Sequence, residues 1–468
     1  MIPDVDGRDA SETASGSSSG ATNTAMIKRF KPFWTSMVLL TVFLNAGILF
    51  FAIPEFSKRM HQLYNQDEYA DGYDQLATNL ADGNGYRMYP DTAPTMVREP
   101  GYPILLAGLY ILFGKDFVAV KFTNMLLAFA TAWLMTRIAT KLSSNRLLIL
   151  VPPFLFLFHP GVLIAESRGG VEVLFTFLLT LYVWSLYRAL ESDRWRNSVI
   201  SGAVLGLTVL VKSTPMLFPA FLLGYLLVFE PRRPKRMLFL NISSMVLAML
   251  VVLSPWIIRN YAITGKFIPT ATVLGVSAHA GQYVNSHLPA DGSWALTDRQ
   301  AARERRKIAE QLGYRFKNVD NAYYQDFYSS GDEVKFSNYL FKSVMAEYER
   351  SPMLFVRCVG SNFFNLWFRG KTWDSTMTNV VVQTPYLILA LLGTVLVMRS
   401  GQGKAIGVLL VLLIYSVAVY VVILAQARYS VPLLPLLSIL AGFCFVRGQV
   451  VVHGVAPGGW REVELTLP

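Results

Sequence analysis

Two carboxylates and a few cations stand out in a chain that is otherwise mostly apolar. Asp67 and Asp71 lie in a polar stretch, residues 67–103, that reads DEYADGYDQLATNLADGNGYRMYPDTAPTMVREPGYP. Their spacing is about one helical turn, so in a helix both would face one side. A carboxylate there could take a proton from an attacking hydroxyl. It could equally hold a divalent cation. Asp82 and Asp91 flank turn residues and read as solvated. Arg98 sits just before a Pro-Gly-Tyr-Pro turn that contains Tyr102. With Arg168, Lys212, Arg259 and Arg428 it makes a set of cations near the ends of apolar segments. Any one of them could simply snorkel to lipid headgroups. As a set they suit a shared anionic ligand, a lipid phosphate or diphosphate. Glu166, just before Ser167-Arg168-Gly169-Gly170, either pairs with Arg168 or joins the same site. His159 reads as an interfacial hydrogen-bonding residue rather than a metal ligand.

These residues are set in a bilayer protein. Of 468 residues, 53% are hydrophobic and only 16% charged, against roughly 25% charged in soluble domains. Repeated apolar runs of about 20 residues complete the signature of a helical membrane protein. The net charge of +11 does not argue for nucleic acid, because Lys and Arg collect in the inside loops of membrane proteins for topological reasons. The chain has two cysteines, Cys358 and Cys444, and neither a CxxC nor an HExxH. A disulfide framework and a dedicated metal site are therefore not expected.

The expected fold is all-α and polytopic, with about 10 spans. Candidate spans are Phe33 to Ile53, Phe117 to Ala139, Leu147 to Ala165, Val171 to Leu190, Ser198 to Val211, Met216 to Phe229, Met237 to Ile258, Met377 to Met398, Ala405 to Ala425 and Ser430 to Val446. Alternate short loops are basic, through Arg137, Lys141 and Arg146, then Arg188, Arg194 and Arg196, then Arg232, Arg233, Lys235 and Arg236, then Arg399 and Lys404. Those loops are inside, as are both termini. Two long segments, 54–116 and 259–376, then fall outside and form a small helical cap. Within them 103–114 is too short to span and reads as an interfacial helix. Residues 332–368 read as a second interfacial segment, and 301–312 as a polar helix. The organisation is a disordered tail over 1–28, a catalytic transmembrane module over 29–258, the loop 259–376, a C-terminal bundle over 377–447 and a tail over 448–468. Multi-pass topology with both ends inside fits a bacterial inner membrane with the active face outward, and equally an endoplasmic reticulum membrane with the active face in the lumen.

The order of short motifs is familiar. D-x-Y-x-x-L-A-x-N-L-x-x-G-x-G-Y runs from Asp71 to Tyr86, and R-x-P-G-Y-P from Arg98 to Pro103, followed by LLAGLYILFG. P-W-x-x-R-N-Y-x-x-x-G spans Pro255 to Gly265, and A-R-Y-x-x-P-x-x-P spans Ala427 to Pro435. The chain resembles the GT-C class of polyprenyl-phosphate-dependent membrane glycosyltransferases, in the branch of protein O-mannosyltransferases and lipid A aminoarabinose transferases. The resemblance implies transfer of a sugar from a polyprenyl phosphate in the outer leaflet to an acceptor hydroxyl, with inversion and an acid of the first outer loop as base. Relatives often place that acid four residues before the loop tyrosine. That position is Tyr69 here, so Asp71 or Asp67 must serve. Arg98 and Arg259 match motif positions that could hold the departing phosphate, with Lys212, Arg428, Tyr102 and Glu166 beside them.

No cofactor is demanded, although the acids could bind Mg²⁺ or Mn²⁺. The expected partners are the lipid-linked donor, a glycan, lipid or protein acceptor, and the bilayer, with no nucleic acid. A flippase for lipid-linked sugars is the competing class. It would want charges at mid-membrane and a pseudo-symmetric halving of the chain, and neither is visible. A non-enzymatic assembly subunit on the same scaffold is a third reading. Aromatics of the second loop, Trp294, Tyr314, Tyr323, Tyr324 and Tyr328, could stack on acceptor sugars or anchor the loop at the interface.

Overall fold

A computed structural model describes residues 40–52, 71–143, 145–192, 194–231, 233–287, 294–317, 326–446, 448–456 and 459–467. Asp67, Tyr323, Tyr324 and the tail 1–28 lie outside the described residues. Helix α1 (Leu40–Phe51) belongs to a separate unit, Met1–Leu63, and ends in a π-turn over Ile48–Ala52.

The rest belongs to one unit, Tyr64–Pro468. Its helices are α2 (Tyr73–Ala81), α3 (Gly101–Phe113), α4 (Phe117–Leu142), α5 (Arg146–Leu157), α6 (Pro160–Glu166), α7 (Glu172–Ser192), α8 (Trp195–Val211), α9 (Phe218–Phe229) and α10 (Lys235–Thr264). Then come α11 (Val273–His287), α12 (Trp294–Gln311), α13 (Ser330–Arg350), α14 (Pro352–Trp367), α15 (Trp373–Arg399), α16 (Gly403–Ile423) and α17 (Leu434–Gly442). Among the described residues two small antiparallel strand pairs accompany the helices, one between α12 and α13 and one after α17. One pairs β1 (Phe316–Lys317) with β2 (Asp326–Phe327), the other β3 (Gly448–Ala456) with β4 (Gly459–Leu467).

Among the described residues six helical stretches are long and apolar enough to cross a bilayer: α4, α7, α10, α15, α16 and Ala427–Phe445. The pair α5–α6 makes a seventh if its 55° bend is counted as one broken span. The break falls at Phe158-His159, where Pro160 has no N–H to continue the ladder. His159 restarts the helix by accepting from the Gly161 N–H at 3.0 Å, so it is a buried cap rather than an interfacial residue. The helices α8 and α9 are shorter, so by length and composition the described residues do not reach the expected count of about 10 spans. The spanning helices expose Leu247, Val251 and Ile258 on one helix alone, as expected of surfaces facing lipid.

Close approach fixes the bundle. A Cβ on Gly202 of α8 would lie 2.0 Å from the Met245 carbonyl oxygen of α10. Only a glycine lets the two backbones meet there.

The long loops build one cap. Residues 101–113 form α3 much as the apolar pattern requires, 294–311 form the polar helix α12, and 330–367 fold as α13 and α14. Leu76, Tyr86, Met88 and Val97 of the first loop pack with Val276, Phe327, Phe336 and Leu340 of the second. Glu333 on α13 pins the layers together. It accepts from Thr95 Oγ1 (2.7 Å), the Met96 N–H (3.0 Å) and Thr272 Oγ1. Backbone bonds from Thr272 to Met96 (2.8 Å) and from Ala93 to Phe327 (3.1 Å) close the seam. Asp91 is not merely solvated, because Lys317 donates to it at 2.6 Å.

Candidate active site

The first loop holds Asp71 outside the helix that follows it. Gly72, at φ 75°, is the N-cap of α2, and this left-handed conformation is one that glycine adopts without strain. Asp71 is thereby turned toward the start of α7 and the 3-10 turn Ala427–Leu433. There Arg428 grips it in a two-pronged pair, Nη1 donating to Oδ2 and Nη2 to Oδ1 at 3.1 Å. Arg98 approaches from the other side. Its Nη2 lies 3.5 Å from Asp71 Oδ1, and its Nε donates to the Asp71 carbonyl at 3.3 Å. The Arg98 guanidinium lies over the Tyr73 ring at 5.0 Å.

Burial alone would raise the Asp71 pKa. The charges of Arg428 and Arg98 outweigh it and hold the carboxyl well below its usual range. A carboxylate so held is ionised and weakly basic.

Glu172, at the start of α7, stands 3.6 Å from Arg428 Nε, and Gln426 accepts from the same nitrogen at 2.9 Å. Lys212 ends α8 beneath this pair. Its ammonium lies over Tyr429 at 3.8 Å, with Tyr420 at 5.2 Å and Phe175 at 5.8 Å. Burial pulls its pKa down to about 8, partly offset by Glu172. Glu99, next to Arg98, accepts from the Ser213 N–H at 3.1 Å and so ties the first loop to the Lys212 turn. Arg168 and Lys371 lie in the field of Arg428. Burial lowers the pKa of each, and the neighbouring cations lower it further. The result is a cluster in which five cations, Arg98, Arg168, Lys212, Lys371 and Arg428, outnumber the carboxylates Asp71, Glu99 and Glu172.

Five of the sequence-selected residues meet there: Asp71, Arg98, Arg168, Lys212 and Arg428. Tyr102 stands behind them in the core, edge-on to Tyr73 at 5.2 Å. Arg259 is placed elsewhere. Its guanidinium donates to the carbonyls of Thr95 (2.8 Å) and Tyr86 (3.3 Å) and lies over Trp256 at 4.6 Å. It is a brace of the first loop. Glu166 is fully buried, and neither of its carboxylate oxygens makes a hydrogen bond, so it does not pair with Arg168. Asn124 donates instead to the backbone carbonyls of Glu166 and Arg168. The reading of the sequence missed Glu172, whose signal was a carboxylate at the mouth of an apolar run. It also missed Glu99 and Lys371 as members of the site. Among the described residues no group of three or more His, Cys, Asp and Glu is arranged to hold a metal ion.

Comparison with known proteins bears on this arrangement. The family model of dolichyl-phosphate-mannose-protein mannosyltransferases matches residues 94–258. The match covers roughly a third of the chain, and it takes in Arg98, Glu99, Glu172 and Lys212. The protein is a multi-pass membrane glycosyltransferase that resembles the GT-C class. Two solved structures of ArnT from Cupriavidus metallidurans align with the chain. The one bound to undecaprenyl phosphate has 14% identity and a TM-score of 0.41, over 88% of this chain and 77% of that one. The apo structure has 13% identity and a TM-score of 0.38, over 89% and 78%. No curated protein matches the sequence.

Proposed function

We propose that this protein moves a sugar from a polyprenyl-phosphate donor to an acceptor hydroxyl at the outer face of an inner membrane, with inversion and with Asp71 as base. The observation that carries the reading is the Asp71–Arg428–Arg98 cluster beside Lys212. It joins a carboxylate to the cations that a phosphate leaving group needs. The matched family's name, with its dolichyl-phosphate-mannose donor, supports a lipid phosphate as the carrier.

The chemistry balances without a redox partner. The acceptor oxygen attacks the anomeric carbon as the bond from that carbon to the phosphate oxygen breaks. The electron pair leaves on the phosphate, and the hydroxyl proton passes to Asp71. The products are the glycosylated acceptor and the free polyprenyl phosphate. Paired as it is, Asp71 would be a poor base. The donor phosphate competes for Arg428 and Arg98, and in doing so releases the carboxylate for proton transfer.

The test is transfer by purified protein in lipid, with radiolabelled undecaprenyl-phosphate hexoses as donors and a membrane extract as acceptor. Label should enter a new product with wild type and not with Asp71→Asn. Label that only crosses the bilayer would instead mark a flippase and overturn the reading.

A further inference from the structure

Asp298 is a half-buried acid that the motifs leave out. It sits on the face of α12 that also carries Trp294, Thr297, Ala301 and Arg305, all buried. Trp294 packs with Ala280 and Val284 of α11 and with Leu424, and Tyr429 lies against that cluster. Asp298 is one helical turn further along the same face, which aims it at the turn bearing Arg428. Its carboxyl lies in the fields of Arg305, Arg428, Asp71 and Lys371, and burial raises its pKa above the usual range. Its Oδ1 is buried and accepts no hydrogen bond. A buried carboxylate oxygen without a donor is costly to fold. Such an oxygen, aimed into a reaction cleft from the cap, is suited to a donor brought by a ligand.

We propose that Asp298 binds the acceptor, taking a hydrogen bond from an acceptor hydroxyl adjacent to the one that attacks. This rests on the transferase reading above and deepens it. A carboxylate repels the donor phosphate, so its partner is a neutral hydroxyl. The attacking hydroxyl has one proton, and that proton goes to Asp71. Asp298 therefore needs a second hydroxyl nearby, which a glycan supplies and a lone Ser or Thr side chain does not. The acceptor class is a polyhydroxylated sugar, oriented by the cap.

The experiment uses the full chain in lipid with labelled undecaprenyl-phosphate hexoses. Octyl glycosides, their monodeoxy analogues and a blocked threonine peptide are the acceptors. Asp298→Ala should raise the acceptor KM roughly tenfold or more, the scale of one lost hydrogen bond to a charged group. Undecaprenyl phosphate should bind within twofold of wild type. Asp298→Asn, which keeps the carbonyl acceptor, should recover most of the KM. One deoxy analogue should already be poor with wild type and lose nothing further in Asp298→Ala. An unchanged acceptor KM in Asp298→Ala would overturn the proposal. So would weakened phosphate binding, which would make Asp298 a support for Arg428, or a peptide that outperforms every glycoside. No transfer by wild type to any acceptor would remove the underlying reading, and this proposal with it.

Discussion

Asp71→Asn separates binding from turnover. In the resting cleft the Asp71 carboxylate holds Arg428 at two points and Arg98 at one, so a donor phosphate must displace it. Removing one partner of a buried ion pair costs about 3–5 kcal/mol. Arg428 has a side chain 37% exposed and keeps Gln426 and Glu172, so the worth of the pair is discounted to about 1–2 kcal/mol. That energy opposes phosphate entry in wild type and is absent in the variant. The Kd for undecaprenyl phosphate should therefore fall about 5–30-fold. Turnover should fall about 10²–10⁴-fold with the loss of the base. The assay pairs a titration of undecaprenyl phosphate into protein in nanodiscs with single-turnover transfer of labelled sugar. Tighter binding with slower chemistry is the signature. Binding that weakens in Asp71→Asn would refute the reasoning, because it would mean that the carboxylate organises the cations rather than competing for them.

Three further outcomes are expected. Lys212 loses its proton near pH 8 in the free protein, while a phosphate monoester is already a dianion above about pH 6. Affinity for undecaprenyl phosphate should thus fall toward tenfold per unit above pH 8, and Lys212→Arg should flatten the profile; a flat wild-type curve counts against the lysine. Asp326 is raised from 3.8 to about 7 by burial and by Glu333, against Lys317. The folded state then holds a proton that the unfolded chain gives up between those values, so stability is lost as pH rises from about 4 to about 7. Asp326→Asn should remove that loss, worth about 4 kcal/mol at most, and thermal inactivation measured at pH 5 and pH 8 would show whether it does. Gly202→Ala should lower the thermal midpoint by forcing α8 off α10, at a cost of about 1–3 kcal/mol. Gly224→Ala, where a Cβ meets nothing within 4 Å, is the control, and equal effects at the two positions would deny the close approach.

The amino-acid sequence by itself determined the helical membrane class, because apolar runs of this length have no other way to satisfy their backbone in lipid. It also marked Asp71, Arg98, Lys212 and Arg428, since charge beside apolar spans is conspicuous. It could not rank them. Asp71 and Arg428 are 357 positions apart, and their pairing exists only because the first loop and the turn before α17 meet over the same end of the bundle. Arg259 has the same residue type and lies in an equally strong motif, yet its guanidinium is taken up by the carbonyls of Thr95 and Tyr86. Asp298 carries no local signal at all. On a polar helix it looks like one more solvated acid, and it becomes a candidate only through Trp294, which packs toward Tyr429 and turns that face inward. Residue type and periodicity are local and survive in one dimension. Which charge faces which is set by packing between distant segments, and only the tertiary structure decided it.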